Sequence, residues 1–205
     1  MSKITEYEKH IFVSYAHGKL WTPWVRDRFV PGLEGALEME TGHLEVFVDD
    51  QIQTGARWDK VLRRKVARSK LMLSLMSAEY FRRDWCRREM SLMLEREKAL
   101  GLIGHAEDYG LLIPVRLGDG DCFPDLIGGV QHHDFGEFAD PDLPAGSERA
   151  SLFRQNLRKL AKTIAQTLPR VPDCSATWED LNGDEFFPLL QPKPLAVQSP
   201  PRLIV

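Results

Sequence analysis

Residues 71–76 read Leu-Met-Leu-Ser-Leu-Met, a run with none of the polar alternation of a half-exposed strand. A short, continuous apolar segment of this kind marks a strand covered on both faces. Such a strand needs helices above and below it, and the flanking sequence supplies them. Ser77 ends the run, residues 78–83 lead onward, and a helix follows from Asp84 to about Leu100. Upstream, Trp58, Val61, Leu62 and Val66 space out the inward face of another helix.

The pattern repeats toward the N-terminus. Ile11 to Tyr15 is a short β-rich run closed by Ala16-His17-Gly18-Lys19, which reads as a buried first strand and its C-terminal loop. Thr22-Pro23 predicts a helix start, a hydroxyl cap with proline at the first helical position. Val25, Phe29, Leu33 and Leu37 then recur every four residues, and Pro31 predicts a kink within them. Leu44 to Val48 reads as a second strand ending at Asp49-Asp50. Leu111 to Leu117 reads as a fourth, although Pro114 counts against a central position. Val130 to Phe135 suggests a fifth, and Phe153, Leu157, Leu160, Ile164 and Leu168 mark a last helix. Beyond residue 168 prolines recur without periodicity, which predicts a linker or flexible tail over 169–205. Strands alternating with helices give an α/β three-layer sandwich with a five-stranded parallel sheet. Three loops, 16–21, 49–55 and 77–84, converge beyond its carboxyl edge, where such sheets gather ligands.

Composition excludes several classes. The chain has 205 residues, 43% hydrophobic and 28% charged, as expected of a globular protein. No stretch approaches a membrane span, and residues 1–10 are too polar for a signal peptide. Cys86, Cys122 and Cys174 have no metal spacing and are odd in number, which points to reduced thiols in a cytoplasm. The net charge of −3 is uneven. Residues 57–88 hold eleven Lys/Arg against three Asp/Glu, a balance of +8 within a remainder of −11. Arg57, Lys60, Arg63, Arg64 and Arg68 share the outward face of the second helix. A solvated surface is the ordinary meaning of such a block; a phosphate-bearing ligand or a neighbouring protomer is the sharper one. Nucleic acid ranks third, for want of interleaved aromatics.

Motif chemistry is mostly negative. No Gly-rich loop follows the first strand, so neither a P-loop nor a dinucleotide fingerprint is present. Asp49-Asp50 does not follow the first strand, as the acidic pair of a receiver domain does, and Ser77 stands where its phosphoacceptor belongs. His132-His133 fits an edge strand better than a metal site, and no metal is expected. The segment Asp84-Trp85-Cys86-Arg87-Arg88-Glu89 is the positive signal. With Asp84 as N-cap, Trp85 and Glu89 stand on one helix face. One reading has Glu89 merely complementing the helix dipole. The other has a single carboxylate stabilising an oxocarbenium-like ribosyl centre as a charged pyridinium leaves, a reaction that needs no general acid. Trp85 would then limit water, and Tyr15 or Trp58 would offer stacking surfaces.

Phe12-Val13-Ser14-Tyr15, Phe47-Val48-Asp49 leading through Gly55 to Trp58, Ser69, Leu75-Met76-Ser77 with Tyr80, Asp84-Trp85-Cys86 with Glu89, and Ile113-Pro114-Val115 occur in order over about residues 8–168. Together they resemble the Toll/interleukin-1 receptor (TIR) domain family, especially its bacterial members, which often carry proline in the fourth strand. The resemblance implies a flavodoxin-like fold, a TIR domain over 1–168, and cleavage of NAD⁺ to nicotinamide and ADP-ribose or a cyclised form. NAD⁺ is then the substrate and no further cofactor is needed. The resemblance makes Glu89 catalytic and makes two loops shape the pocket. These loops are Ser14, Tyr15, Ala16 and His17, and the stretch from Asp49 through Ile52 to Trp58. It implies self-association through the loop 49–58, with Arg57, Arg63, Arg64 and Arg68 as an assembly face. An antiphage or cell-death effector coupled to a sensor domain or subunit would fit. Receptor-type members, by contrast, are non-catalytic modules that bind other TIR domains and commonly lack the Glu. A nucleoside deoxyribosyltransferase-like enzyme remains a third reading.

Overall fold

β3, Ser69–Met76, lies at the centre of the sheet, and residues 71–76 are buried as their apolar run predicts. β1, Lys9–Tyr15, pairs with it in parallel from Lys9↔Ser69 to Tyr15↔Leu75. β4, Leu112–Arg116, pairs on the other side, and β2, Val46–Val48, and β5, His133–Asp134, are the edges. The order β2-β1-β3-β4-β5, all parallel, is the flavodoxin-like doubly wound arrangement. This computed structural model describes residues 6–48, 58–103, 109–118 and 120–194.

Pro114 fits its strand because of the direction in which its nitrogen points. Met72 N donates to Leu111 O and Leu117 N to Met76 O, whereas Phe135 N donates to Arg116 O. Odd-numbered residues of β4 therefore face β3 and even-numbered ones face β5. Pro114 turns its hydrogen-free nitrogen toward β5, which begins pairing only at Val115. The edge strands are shorter than the sequence predicts. Glu45 O still accepts from His10 N and Ile11 N just before β2, and Val130 N closes a turn onto Ile127 O ahead of β5.

One helical layer contains α1, Trp21–Trp24, α2, Val30–Thr41, and α7, Glu148–Thr167. Between α1 and α2 runs a π-helical segment, Val25–Phe29, so the kink expected at Pro31 is a π-bulge. Proline supplies no N–H to the α-helical ladder, and the wider turn absorbs the mismatch. Thr22 is not the cap: Leu20 holds that position, and Thr22 Oγ1 accepts from Gly18 N at 3.1 Å. Val25, Phe29, Leu33 and Leu37 are buried as their spacing predicts. Ser147 caps α7, its Oγ accepting from Ala150 N.

The opposite layer contains α3, Trp58–Ala67, and α5, Asp84–Ala99, with the short α4, Ala78–Arg82, leading in. A four-residue α6, Asp125–Gly128, lies between β4 and β5. Where a linker or flexible tail was expected, residues 168–194 form a strap along α5, built from 3₁₀ turns at Leu168–Arg170, Ala176–Asp180 and Phe187–Leu190. Its anchors are not periodic, which hides them from a sequence reading. Trp178, Phe186 and Leu190 are buried, the Arg96 guanidinium lies 4.1 Å from the centre of the Trp178 ring, and Arg87 and Arg88 lie 4.4 and 4.1 Å from that of Phe187. Ion pairs Arg68–Glu179, Arg88–Asp184 and Lys98–Glu185 run alongside. Residues 195–205 lie outside the described residues.

Candidate active site

α5 begins one residue earlier than the capping reading implies. Arg83 is the N-cap, and Asp84, in the first turn, accepts from Arg87 Nη2 at 2.5 Å. Glu89 lies one and a half turns in and points at the sheet, only 2% exposed. There its Oε2 accepts a 2.5 Å hydrogen bond from Ser14 Oγ, near the carboxyl end of β1. Ser14 pairs across the ladder with Ser74 of β3, so two hydroxyls interrupt the apolar floor side by side. Tyr80, from α4, joins them. Its hydroxyl is 2.8 Å from Ser14 Oγ and 3.3 Å from Ser74 Oγ, and it donates to the Cys86 carbonyl at 3.1 Å. α4 is itself fixed by Ser77, whose Oγ accepts from Tyr80 N.

The result is a buried polar cluster at the first turns of α5. Burial pushes the Tyr80 hydroxyl well above its ordinary value, with the Cys86 and Glu89 side chains adding to the effect. Tyr80 is therefore a neutral donor at physiological pH. An oriented carboxylate in such a water-poor setting acts strongly on any cation brought near it.

Of the residues singled out from the sequence, Ser14 and Glu89 come together. Tyr15 lies on the other side of the strand against His17, their ring centres 4.5 Å apart, and Ala16 is buried beside them. Trp85 is half-buried and takes its cation contact from Arg83, 5.2 Å from the ring centre. Asp49, Ile52 and Arg57 lie outside the described residues, and Trp58 opens α3. Ser74 escaped the sequence reading, and Tyr80 entered it without a role. A serine inside the apolar run 71–76 was the available signal, because a buried hydroxyl requires a partner.

The sequence pattern of the TIR domain family matches residues 11–149. That stretch takes in β1 from Ile11 onward, the other four strands and the Ser14–Glu89 contact. The chain belongs to the TIR domain family. The TIR domain of the Toll-related receptor TRR-2 from Hydra magnipapillata is similar to it at 15% identity and TM-score 0.49, over 75% of this chain and 98% of that one. The TIR domains of the activated Roq1 resistosome, which directly recognises the pathogen effector XopQ, are similar at 19% identity and TM-score 0.39, over 80% and 100%. A comparison with curated proteins gives no match.

The basic face of this TIR domain is less free than its charge suggests. Arg64 pairs with Glu8 at 2.6 Å, and Arg68 pairs with Glu179 of the strap at 2.6 Å and with Glu8 at 3.6 Å. Arg63 is half-buried. Among the described residues no group of His, Cys, Asp and Glu could hold a metal, and His133 forms the edge strand. All three cysteines are buried, and none of them is in a disulfide. Among the described residues no helix is long and apolar enough to cross a membrane. A cavity of about 700 Å³ lies at the far edge, between α5, the start of β4 and α7, away from Glu89.

Proposed function

We propose that this TIR domain cleaves NAD⁺, with Glu89 as the catalytic residue. The observation that carries the reading is the 2.5 Å contact between Ser14 and Glu89 at the carboxyl end of β1. It holds one carboxylate in a fixed direction at the edge where a parallel sheet receives ligands. In the reaction the C1′–N bond of the nicotinamide riboside breaks and the bonding pair leaves with the pyridinium nitrogen. Glu89 stabilises the positive charge that develops at C1′. Water, or a nitrogen of the substrate's own adenine, then closes the new bond, giving linear or cyclic ADP-ribose. Ser14 to His17 and the loop 49–58 shape the pocket, and a neighbouring copy completes it through that loop. A sensor domain or subunit would trigger assembly of such an effector in a cytoplasm, in antiphage defence or cell death.

A second reading has its own support. Glu89 is 2% exposed, so substrate reaches it only after its cover moves. A TIR domain that binds other TIR domains without catalysis has no need of that movement. NAD⁺ consumption by wild type and Glu89→Ala, under conditions that assemble the protein, separates the two. Loss of turnover in the variant supports catalysis. Equal turnover refutes the assignment of Glu89, and no turnover by assembled wild type supports the interaction module.

A further inference from the structure

The cavity at the far edge of the sheet exists because a strand stops short. β5 pairs with β4 only from Val115↔His133 onward, so among the described residues no strand lies beside Leu112 and Pro114 on that side. The space left open, about 700 Å³, suits a small organic molecule. Leu94, Leu102, Ile113, Ile127, Val130 and Phe186 give it an apolar lining. Into this lining α5 sends one carboxylate, Glu97, which is 7% exposed. Its Oε1 accepts from Leu111 N at 2.5 Å and from Leu112 N at 2.8 Å. Among the described residues Oε2 has no partner, and no cation pairs with the group. Arg96, its neighbour in sequence, is committed to Ser69, Tyr7 and Trp178.

The donors around that carboxylate are already spent. The Leu112 N–H goes to Glu97 itself, and Pro114 has none to offer. Tyr109 Oη donates to Arg170 O, Thr163 Oγ1 to Lys159 O and Thr167 Oγ1 to Thr163 O. Leu112 O, which points the same way as its N–H, accepts from no backbone N–H among the described residues. Burial holds His133 below its ordinary pKa, so near neutral pH it brings no positive charge to the wall. Acceptors therefore outnumber donors, in a setting where an unanswered carboxylate is costly. Burial pushes the Glu97 pKa up for that reason, against the two amides that favour its charge.

We propose that this cavity binds a small organic cation, a protonated amine or amidine with an aromatic or branched aliphatic body. The head donates to Glu97 Oε2 and neutralises it, and the body lies against the apolar lining. An anion is repelled by Glu97, and a neutral molecule leaves its charge unanswered. The cavity is separate from Glu89, and the inference does not depend on NAD⁺ cleavage.

The test is an NMR titration of the ¹⁵N-labelled full chain near neutral pH with two cationic probes, benzamidine and tryptamine. Benzamide and benzoate are the neutral and anionic counterparts. Both cations are expected to shift the amides of Leu112, Ile113, Thr163 and Thr167 along a saturable curve. Benzamide is expected to bind at least about ten-fold more weakly than benzamidine, and benzoate not at all. Glu97→Gln keeps an oxygen for the Leu111 and Leu112 amides but removes the charge, and is expected to weaken both cations at least about ten-fold. Val130→Trp keeps the charge and narrows the cavity from its exposed rim, and is expected to weaken tryptamine. Circular dichroism checks the folding of both variants. The proposal is overturned if neither cation shifts those amides, or if benzoate binds as tightly as benzamidine. It is also overturned if folded Glu97→Gln keeps full affinity. Should Glu97→Gln not fold, Val130→Trp decides alone, and unchanged tryptamine binding overturns the proposal.

Discussion

Replacing Arg96 by methionine tests the strap, because this one guanidinium joins it to the sheet. Arg96 is 1% exposed. Its Nη1 donates to Ser69 O at 2.6 Å, its Nη2 donates to Tyr7 Oη at 2.6 Å, and its carbon centre lies 4.1 Å from the centre of the Trp178 ring. Two hydrogen bonds from a charged donor contribute about 1.5–3 kcal/mol each, and a desolvated cation over an indole adds about 2 kcal/mol. Against this stands the cost of holding the cation out of water, on the order of 4 kcal/mol. That cost also explains why burial lowers its pKa. The net loss in Arg96→Met is therefore about 2–3 kcal/mol at mid-range, given that methionine keeps most of the packing. For a domain of this size that lowers the melting temperature by roughly 4–12 °C. Calorimetry reads it directly, and a double-mutant cycle with Trp178→Leu should give a coupling of about 2 kcal/mol. A melting temperature at or above wild type would refute the reasoning, because desolvation would then outweigh every contact described.

Three further outcomes follow from contacts elsewhere in the fold. Tyr80→Phe keeps the ring and removes the hydroxyl shared by Ser14, Ser74 and Cys86; if Glu89 is catalytic, kcat should fall about ten-fold with KM little changed, a loss near 1.4 kcal/mol in the transition state. An unchanged kcat would show that Tyr80 does not orient the carboxylate through Ser14. Burial, with smaller contributions from His132 and Lys159, holds His133 below its ordinary pKa. The folded protein then binds fewer protons than the unfolded chain, so stability falls as pH drops below about 6.5. His133→Asn should flatten that acid limb in urea melts at pH 7 and pH 5. The glycines of α2 should respond with opposite signs. Gly35→Ala should stabilise the fold by about 0.5–1 kcal/mol. Gly32→Ala places a methyl 2.6 Å from Leu157 Cδ1 and should destabilise it instead. Thermal melts check both.

The sheet was legible because its signal is local. Residues 71–76 announce a strand covered on both faces, and Phe29, Leu33 and Leu37 announce a helix face, with no knowledge of partners. Pro114 looked like an obstacle because periodicity does not say which neighbour a given nitrogen faces. The strap was illegible for a related reason. Trp178 and Phe187 are held by Arg96, Arg87 and Arg88, more than eighty residues away, and no spacing rule connects them. The basic block was countable but not interpretable, since Arg64 and Arg68 are answered by Glu8 and Glu179 from opposite ends of the chain. Glu89 was singled out by its helix position together with the family resemblance. Its partner was not: the spacing paired it with Trp85, whereas the fold gives it Ser14.

The strap also changes how α5 can open. Held by the sheet on one side and by Trp178, Phe186 and Phe187 on the other, the helix has no free flank from which to fray. Its central amides, about Met90 to Glu97, should exchange with deuterium only through global unfolding, among the slowest in the protein. The backbone under Glu89 is thus a fixed anvil, and any motion that uncovers the carboxylate has to come from the loops above it.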